Sequence, residues 1–427
     1  MLHTISIDQI KVGLYIHLDL HWMEHPFGLG SFRIKSDEQI HTLRALGLQQ
    51  IRFDPAKSDV QPLPPIAATA PAAAPAAAPA PIAPATDDPA LVAKRQRLER
   101  LRLQREAMIR VEKNYLRAAN SVRNLQQGLD RYPAQTVTEA TRLVEQMVSE
   151  FLEAPEVSIH ALGSRPGVPD VFVHALNVAV LSLLLARHLR LPAAAMRLLG
   201  QGALFHDVGL ADVPSRILRN TDPLSVVERA ARELHCEYGL RRTQALGLPP
   251  EVRAIIEQHH ELADGSGYPN HLKGDAIAPL ARIVAVANQY DNLCNPVNPA
   301  LALTPHEALS RIFRQQKACF DPGLLQGLIR SLGVYPPGTL VSLSNEAICV
   351  VTSVNPARAL KPVVVVYEPA MPDDEPMIID LALQPEVNIS AALRPAAVSR
   401  EVREYLRVRS RVSYYFDSAT PSAPAAA

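Results

Sequence analysis

Histidines are concentrated in one part of this 427-residue chain, beside residue types that bind metal ions. Seven of the fourteen histidines lie within residues 174–271. His206 and Asp207 are adjacent, and they offer an imidazole nitrogen and a carboxylate that can bridge two metals. His259 and His260 form a second adjacent pair at the end of a predicted helix. Each pair taken alone is weak evidence for a site, because such pairs are also common on protein surfaces.

Two further histidines lie in segments that the sequence predicts to be helical. His174 falls within the apolar stretch 171–186, which is shorter than the roughly 18 to 20 residues of a membrane span and therefore indicates a buried helix. A single histidine there is more often a hydrogen-bonded core residue than a ligand. His235 lies in ARELHCEYGL. A helix beginning near Pro249 and Pro250 leads to the second histidine pair, and the glycines after that pair predict a tight loop.

Composition excludes several classes of protein. The 43 basic residues balance the 43 acidic ones, so no global charge indicates a DNA-binding or anionic-membrane-binding protein. The four cysteines lack CxxC spacing, which favours core thiols in a reducing compartment over a disulfide scaffold or a zinc ribbon. No basic-then-apolar secretion signal opens the chain, and we expect a cytoplasmic location without a membrane span.

The first 60 residues predict a small α+β domain. ISIDQIKVGLYIHLDL alternates like a strand, Ser36 is a candidate N-cap for a helix, and IRFD returns to the strand pattern. Residues 61–90 then form a predicted linker, since 20 of the 25 residues from Pro62 to Thr86 are Ala or Pro. Such a composition favours an extended, semi-rigid spacer.

Residues 91–154 predict a long basic helix and connecting helices, with a break near Gly128 and Pro133. Between Lys94 and Arg131 there are eleven basic and four acidic residues. A solvated helix or a dimerising coil explains this better than a nucleic-acid or membrane surface, because aromatic residues are nearly absent. A homodimer through residues 91–130 is therefore one hypothesis.

The rest of the chain divides into a helical part and a β-rich part. Helical segments are predicted through 155–335, which would form the main domain. Residues 336–417 contain β-branched runs that predict a small β-rich C-terminal appendage. The last ten residues, 418–427, are predicted to be disordered. The expected fold class is therefore mainly α, with small β-containing parts at both ends.

Five strings in order carry a resemblance to a known family: VFVHALNVAVLS, HDVGLADVP, LHCEYG, QHHELADGSGYPNHLKGD and ARIVAVANQYDNL. Between about Pro155 and Tyr335 the chain resembles the HD-GYP subgroup of the HD metal-dependent phosphohydrolases. Members of this subgroup are known as bacterial cyclic di-GMP phosphodiesterases. The first sixty residues, with VGLYIHLD and WMEHPF, also resemble the small domain that often precedes HD-GYP domains in proteobacteria.

The resemblance implies two divalent transition-metal ions, with iron or manganese expected. The metal ligands that it implies are His174, His206, Asp207, His235, His259 and His260, together with Asn288 where the family has an aspartate. Asp170, one turn before His174, corresponds to an additional carboxylate ligand of some members. Asp207 would be the catalytic carboxylate that bridges both ions, where a bound water becomes the nucleophile that attacks phosphorus.

The loop after the second histidine pair matches the GYP motif completely. In the family this loop is associated with positioning the guanine nucleotide and with binding diguanylate cyclase domains. The substrate-binding residues that the resemblance implies are Asp264, Gly265, Gly267, Tyr268, Pro269 and Lys273. Cyclic di-GMP is thus the expected ligand, and diguanylate cyclase domains are expected partners.

Four positions depart from the family pattern. Leu210 replaces the lysine of HDxGK, Asn288 replaces an anionic ligand by a weaker neutral one, and Val297 and Ala300 replace basic residues that contact phosphate. Losing two or three such contacts, at about 1.5 to 3 kcal/mol each, would slow turnover by a factor of about 10² to 10⁶.

Two hypotheses about function follow from these departures. The first is a slow cyclic di-GMP phosphodiesterase, and the second is a degenerate HD-GYP domain that binds or scaffolds in the same signalling network without catalysis.

Overall fold

In the computed structural model, the chain forms two compact units, Met1–Arg102 and Leu103–Ala427. The residues that the structure describes are 3–18, 31–45, 48, 50–64, 89–153, 158–163, 170–354, 358–369, 376–408 and 411–417. The predicted tail 418–427 and most of the predicted linker 61–90 lie outside these residues. Within the described ranges, no helix has both the length and the apolar character needed to cross a membrane.

The first unit contains a small antiparallel sheet and one helix. Its elements are β1 His3–Ser6, β2 Tyr15–His17, β3 Ser31–Arg33, α1 Asp37–Ala45 and β4 Gln50–Phe53. The sheet order is β1-β4-β2-β3. Alternate residues of β4, Ile51 and Phe53, are buried beside Ile16 and Leu43, as the period of two in a strand requires. Ser36 Oγ accepts a hydrogen bond from the amide of Gln39 at the start of α1, as expected of an N-cap.

The prediction of one continuous strand near the start of the chain is wrong. β1 ends at Ser6, and a 3₁₀ turn over Ile7–Gln9 separates it from β2. Ser6 and Gln9 form a capping box, in which the Ser6 hydroxyl accepts from the Asp8 amide and the Gln9 side chain accepts from the Ser6 amide. These local side-chain bonds stabilise a turn where apolar alternation alone favours a strand.

Helices make up most of the second unit, which confirms a mainly α fold class. They are α2 Pro89–Gly128, α3 Pro133–Glu153, α4 Asp170–His188, α5 Ala193–Phe205, α6 Ser215–Leu218, α7 Val226–Glu233, α8 His235–Thr243, α9 Pro250–Gln258, α10 Pro279–Cys294, α11 Pro305–Gln315, α12 Pro322–Leu332 and α13 Arg400–Tyr405. Helix α2, which begins in the first unit, belongs to the second from Leu103 onward. Proline stands at the first position of α9, α10, α11 and α12, where its missing amide hydrogen costs nothing.

Helix α4 is the centre of this unit. Its side chains from Ala175 to Ala186 are buried on every face, as the all-round apolar sequence predicts. Helices α3, α5, α10 and α12 pack against it. The polar residues His174 and Asn177 lie at its N-terminal end, so the buried helix carries them to a fixed position in the protein interior.

A seven-stranded sheet completes the second unit. Its strands are β5 Ser158–Gly163, β6 Leu340–Leu343, β7 Ile348–Val354, β8 Val363–Val366, β9 Met377–Asp380, β10 Ile389–Leu393 and β11 Val412–Asp417. Strand β5 pairs with β11 over its whole length and with the end of β7. The expectation that 155–335 is entirely helical is therefore wrong at β5. Tyr414, Tyr415 and Phe416 of β11 belong to the main helical core, so this strand is more than an appendage.

The apolar face of α2 is used within the chain. Its side chains from Val111 to Leu129 that face inward are buried in the core of the second unit. Ile109, in contrast, is 66% exposed. A homodimer through 91–130 thus stays a prediction, and from Val111 onward it cannot use the face that is already buried in this core.

Candidate metal centre

Asp207 lies at the junction of α5 and the following 3₁₀ turn, and its two carboxylate oxygens face different histidines. Oδ2 lies 3.4 Å from His206 Nε2 and 3.5 Å from His174 Nε2. Oδ1 lies 3.3 Å from His235 Nε2 and 3.5 Å from His259 Nε2. The structure therefore brings four histidines from four separate segments onto one carboxylate.

These residues form two groups whose potential ligand atoms lie within 4.8 Å of one another, and both groups contain Asp207. One group adds His174 and His206, and the other adds His235, His259 and His260. A carboxylate shared between two clusters of imidazoles is a suitable bridge for two divalent cations.

Hydrogen bonds fix which ring nitrogen of each histidine faces the centre. The Nδ1 atoms of His206, His235 and His259 lie 2.7, 2.8 and 3.0 Å from backbone carbonyl oxygens, which only accept. Each Nδ1 therefore carries its hydrogen and donates it, which leaves a lone pair on each Nε2 in the neutral ring. His174 Nδ1 is held in the same way, 2.7 Å from Asp291 Oδ2.

The Nε2 atoms of these histidines approach one another in pairs, at distances where the lone pairs of two neutral rings repel. His206 Nε2 lies 3.3 Å from His174 Nε2, and His235 Nε2 lies 3.2 Å from His259 Nε2. Two lone pairs at this separation repel unless a proton or a cation lies between or beside them. The donor set thus fits divalent metal ions, which neutral imidazole and carboxylate bind well.

Burial and neighbouring charges together determine the charge of these groups. Burial by itself raises the pKa of the Asp207 carboxyl, but the neighbouring His206, His235 and His259 outweigh it and hold this pKa well below its usual value. Burial lowers the pKa of His259 to about 4, and burial with the charges of nearby histidines lowers that of His260 well below its usual value. At neutral pH the carboxylate is charged and these two rings are neutral, which is the form that binds metal. Burial lowers the pKa of His235, but hydrogen bonds, the largest of them to Asp207, and the Asp207 charge together outweigh burial and raise this pKa to about 10.

Gly209 allows the backbone of the Asp207 turn to lie directly against α8. A Cβ atom at this position would overlap the carbonyl oxygen of His235 and the amide nitrogen of Gly239. We expect Gly209→Ala to lower the free energy of unfolding by about 2 to 3 kcal/mol, because α8 must move away. Urea denaturation measures this change. Gly247→Ala is the control, since Gly247 has φ +60° but open space around it, and we expect this variant to lower the free energy of unfolding by about 1 kcal/mol. Equal losses of stability in the two variants would contradict the overlap at Gly209.

Asp291 and the two asparagines that hold it were not among the residues predicted from the sequence. Asp291 Oδ1 accepts hydrogen bonds from Asn177 Nδ2 at 2.8 Å and from Asn295 Nδ2 at 2.9 Å. Its other oxygen orients His174. Helical spacing could have identified Asn177, because it lies three residues after His174, on the same face of α4. These three contacts of Asp291 thus serve to fix one imidazole.

Asn288 lies at the His174 side of the centre, where it is 2% exposed. Burial lowers the pKa of His174, but the hydrogen bond to Asp291, the charges of Asp291 and Asp207 and a hydrogen bond to Asn288 outweigh burial and raise it. Asn288 Oδ1 also accepts a hydrogen bond from Asn292 Nδ2 at 2.7 Å. A metal-binding role for Asn288 remains a prediction. The side chain of Asp170 lies outside the described residues, so its predicted role as an extra ligand has no structural counterpart here.

The GYP loop lies against the His260 ring. Tyr268 stacks on it, with ring centroids 4.5 Å apart and planes at 21°. A Cβ atom on Gly267 would overlap the backbone of His260 and Leu262. The buried carboxylate of Glu261, which was not predicted from the sequence, accepts hydrogen bonds from the amides of Asn270 and Leu272 and so ties the loop to the segment that follows α9.

The other predicted loop residues have structural contacts of their own. Asp264 Oδ1 accepts from the amide and hydroxyl of Ser266, which lowers the pKa of the Asp264 carboxyl. The Lys273 side chain packs across Gly265, and Pro269 is exposed. Substrate binding by Asp264, Gly265, Gly267, Tyr268, Pro269 and Lys273 remains a prediction.

A cavity of about 690 Å³ opens beside the His174 end of the centre. His174, Asp207 and Asp291 line it, and none of the GYP-loop residues does. Leu210 and Val297, two of the positions that depart from the family pattern, also line it. Ala300 is exposed on a 3₁₀ turn outside the lining, so that position is not part of the cavity wall. The volume is within the usual range for small-molecule sites.

Comparison with known families agrees with this architecture. Residues 130–324 match the HD domain, and residues 2–159 match a domain described as of unknown function, DUF3391. These matches confirm the resemblance to an HD-type domain and add an N-terminal region that is similar to DUF3391.

Curated relatives are cyclic-dinucleotide phosphodiesterases. Cyclic di-GMP phosphodiesterase PA4108 of Pseudomonas aeruginosa is 27% identical over 86% of this chain and 85% of its own length. The cyclic di-GMP phosphodiesterase response regulator RpfG of Xanthomonas campestris is 34% identical over 40% of this chain and 45% of its own. 3'3'-cGAMP-specific phosphodiesterase 3 of Vibrio cholerae is 29% identical over 38% of this chain and 35% of its own. The last two matches span less than half of each relative.

Proposed function

We propose that this chain is a metal-dependent phosphodiesterase that hydrolyses a cyclic dinucleotide, with cyclic di-GMP as the first candidate substrate. The observation that carries the proposal is the division of the Asp207 oxygens between two groups of histidines whose Nε2 atoms face each other. The named activities of the relatives support the same class of reaction.

The residues of the metal centre and the cavity would each have a defined role in this reaction. Two divalent ions, iron or manganese, would lower the pKa of a bound water and neutralise the phosphoryl oxygens when held at this centre. Asp207 presents one oxygen to each group of histidines. Carbonyl oxygens orient the rings of His206, His235 and His259, and Asp291 orients that of His174, so that each presents Nε2. The cavity beside Asp207 would admit the phosphodiester to the same carboxylate.

A second candidate function is binding of a cyclic dinucleotide without hydrolysis, as a scaffold in the same signalling network. Leu210 and Val297 favour it, because they give the cavity wall two apolar side chains where the family resemblance implies cations. Asn288 favours it too, because its amide binds a divalent ion more weakly than a carboxylate does.

Incubation of the iron-loaded or manganese-loaded protein with cyclic di-GMP, followed by chromatography of the products, separates the two candidates. We expect a linear dinucleotide or GMP to accumulate, and none to accumulate with Asp207→Ala. A parallel incubation with 3'3'-cGAMP tests the choice of substrate. Binding of the intact nucleotide without product would refute hydrolysis and support the scaffold.

Adding positive charge to the cavity wall is expected to raise activity. We expect Leu210→Lys combined with Val297→Arg to increase kcat/KM for cyclic di-GMP about 10-fold, because each new cation can bind a phosphate oxygen. Steady-state kinetics measures the change. Leu301→Lys is the control, since Leu301 is 66% exposed and lies outside the cavity lining. No gain in the double variant would contradict the phosphate-binding roles assigned to positions 210 and 297.

A further inference from the structure

Four arginines line the cavity beside the metal centre, and two of them are already engaged within the protein. Arg242 bonds to Asp212 at 2.7 Å and to a second aspartate at 2.6 Å, so carboxylates neutralise its charge. Arg411 is also engaged in an interaction within the chain. Neither of these side chains can bind an anion without giving up an existing contact.

The other two lining arginines, Arg219 and Arg232, have unpaired guanidinium groups. Among the described residues, neither guanidinium forms an ion pair or a side-chain hydrogen bond, whereas Arg216 and Arg242 nearby both face carboxylates. An arginine keeps its positive charge at all relevant pH values. These two side chains therefore supply the cavity wall with positive charge that no protein group takes up.

Arg232 lies in the last turn of α7, three residues before His235. Its carbonyl oxygen accepts the hydrogen bond from His235 Nδ1 at 2.8 Å, and its side chain lines the cavity together with those of His174 and Asp207. One residue thus orients a ring of the metal centre through its backbone and presents a half-buried guanidinium to the cavity. Because partial burial reduces screening by water and salt, this cation attracts an anion more strongly than one at an open surface does.

Arg219 directly follows α6, the helix before α7. Its amide bonds to the carbonyl oxygen of Ser215 at 3.0 Å, and Ile217 in the same turn is buried, so the backbone at this position is anchored. Thr221, two residues later, also lines the cavity. Helices α6 and α7 contact each other, and the two arginines therefore come from neighbouring elements. The Arg219 side chain is exposed, so its charge is screened more than that of Arg232.

An anion that enters this cavity needs cations on its wall, and Leu210 and Val297 supply none. A guanidinium can bind a phosphate through two parallel hydrogen bonds. We propose that Arg232 and Arg219 bind phosphate groups of the ligand, with Arg232 as the stronger contact, in place of the cations absent at positions 210 and 297. The identity of the ligand as a phosphodiester rests on the proposed function.

Calorimetric titration of the metal-loaded, full-length protein with inorganic phosphate tests the proposal. We expect Arg232→Gln to weaken phosphate binding about 10-fold and Arg219→Gln about 3-fold, because the half-buried contact is screened less. Metal content by elemental analysis should equal that of the wild type, since Arg232→Gln keeps the backbone carbonyl that orients His235. Arg232→Lys should recover part of the affinity, which a purely structural role would not predict.

Other arginines on the same two helices provide matched controls. Arg216→Gln changes an exposed residue of α6, and Arg229→Gln changes an exposed residue of α7. Both arginines lie outside the cavity lining, so we expect each control variant to bind phosphate as the wild type does. Equal losses of affinity in a control and in Arg232→Gln would indicate a general effect of net charge and would refute the specific role of Arg232.

The remaining outcomes separate this inference from the proposed function. If Arg232→Gln binds phosphate as the wild type does, or if the metal-loaded wild type does not bind phosphate, the inference is wrong. Unchanged affinity in Arg219→Gln alone would refute the pairing of the two arginines. If the wild type hydrolyses cyclic di-GMP and the double glutamine variant does so with equal KM, only the inference fails. If phosphate binding depends on both arginines but no cyclic dinucleotide is hydrolysed, the inference stands and the hydrolytic function falls.

Discussion

Replacing Asp207 by alanine is expected to remove metal from both halves of the centre and to reduce hydrolysis by at least about 10³-fold. Its two oxygens lie beside the Nε2 atoms of four of the five histidines in the cluster, two at each oxygen. Loss of a charged ligand from each of two ions costs several kcal/mol, and about 1.4 kcal/mol corresponds to a factor of ten in rate. Elemental analysis and product chromatography measure the two effects.

Asp207→Asn separates the charge of this residue from its shape. The amide keeps the volume of the side chain but can offer only one oxygen, so we expect it to retain metal in one half of the centre at most. Asp275→Ala is a matched control, because its carboxylate is exposed and pairs with Arg282 on the surface. Two metal ions per chain in Asp207→Ala would refute the bridging role.

Local sequence patterns predicted the elements that carry the histidines. The all-apolar run of α4 predicted a buried helix, and Pro249 with Pro250 predicted the start of α9. His235 proved to be the first residue of α8, after a separate helix α7. These predictions succeed because helix periodicity, proline at N1 and glycine turns depend on residues close together in the chain.

Contacts between segments that are far apart in the chain could not be predicted from local sequence patterns. No feature of Ser158–Gly163 identifies Val412–Asp417 as its partner strand, since pairing depends on the folded core. For the same reason Arg411 could not be assigned to the cavity, and Asp291 could not be recognised as the partner of His174. The metal-ligand set was obtained from a resemblance, whereas the residues that orient the ligands required coordinates.

Replacing Asn288 by aspartate is the largest expected gain. The side chain is buried and bonds to His174, so a carboxylate there would face the half of the centre formed by His174, His206 and Asp207. Exchanging a neutral ligand for a charged one is worth about 1.5 to 3 kcal/mol, so we expect metal affinity to rise about 10- to 100-fold.

The new carboxylate of Asn288→Asp should be tolerated, because Asn292 Nδ2 already donates to this position and would donate equally to an oxygen of aspartate. Elemental analysis at limiting metal measures the occupancy. Asn298→Asp makes the same chemical change outside the histidine cluster and keeps the oxygen that accepts from the Ala300 amide, so its occupancy should equal that of the wild type. Unchanged metal occupancy in Asn288→Asp would mean that another ligand, such as Asp170, already completes this half of the centre. The prediction that asparagine at position 288 slows turnover would then be wrong.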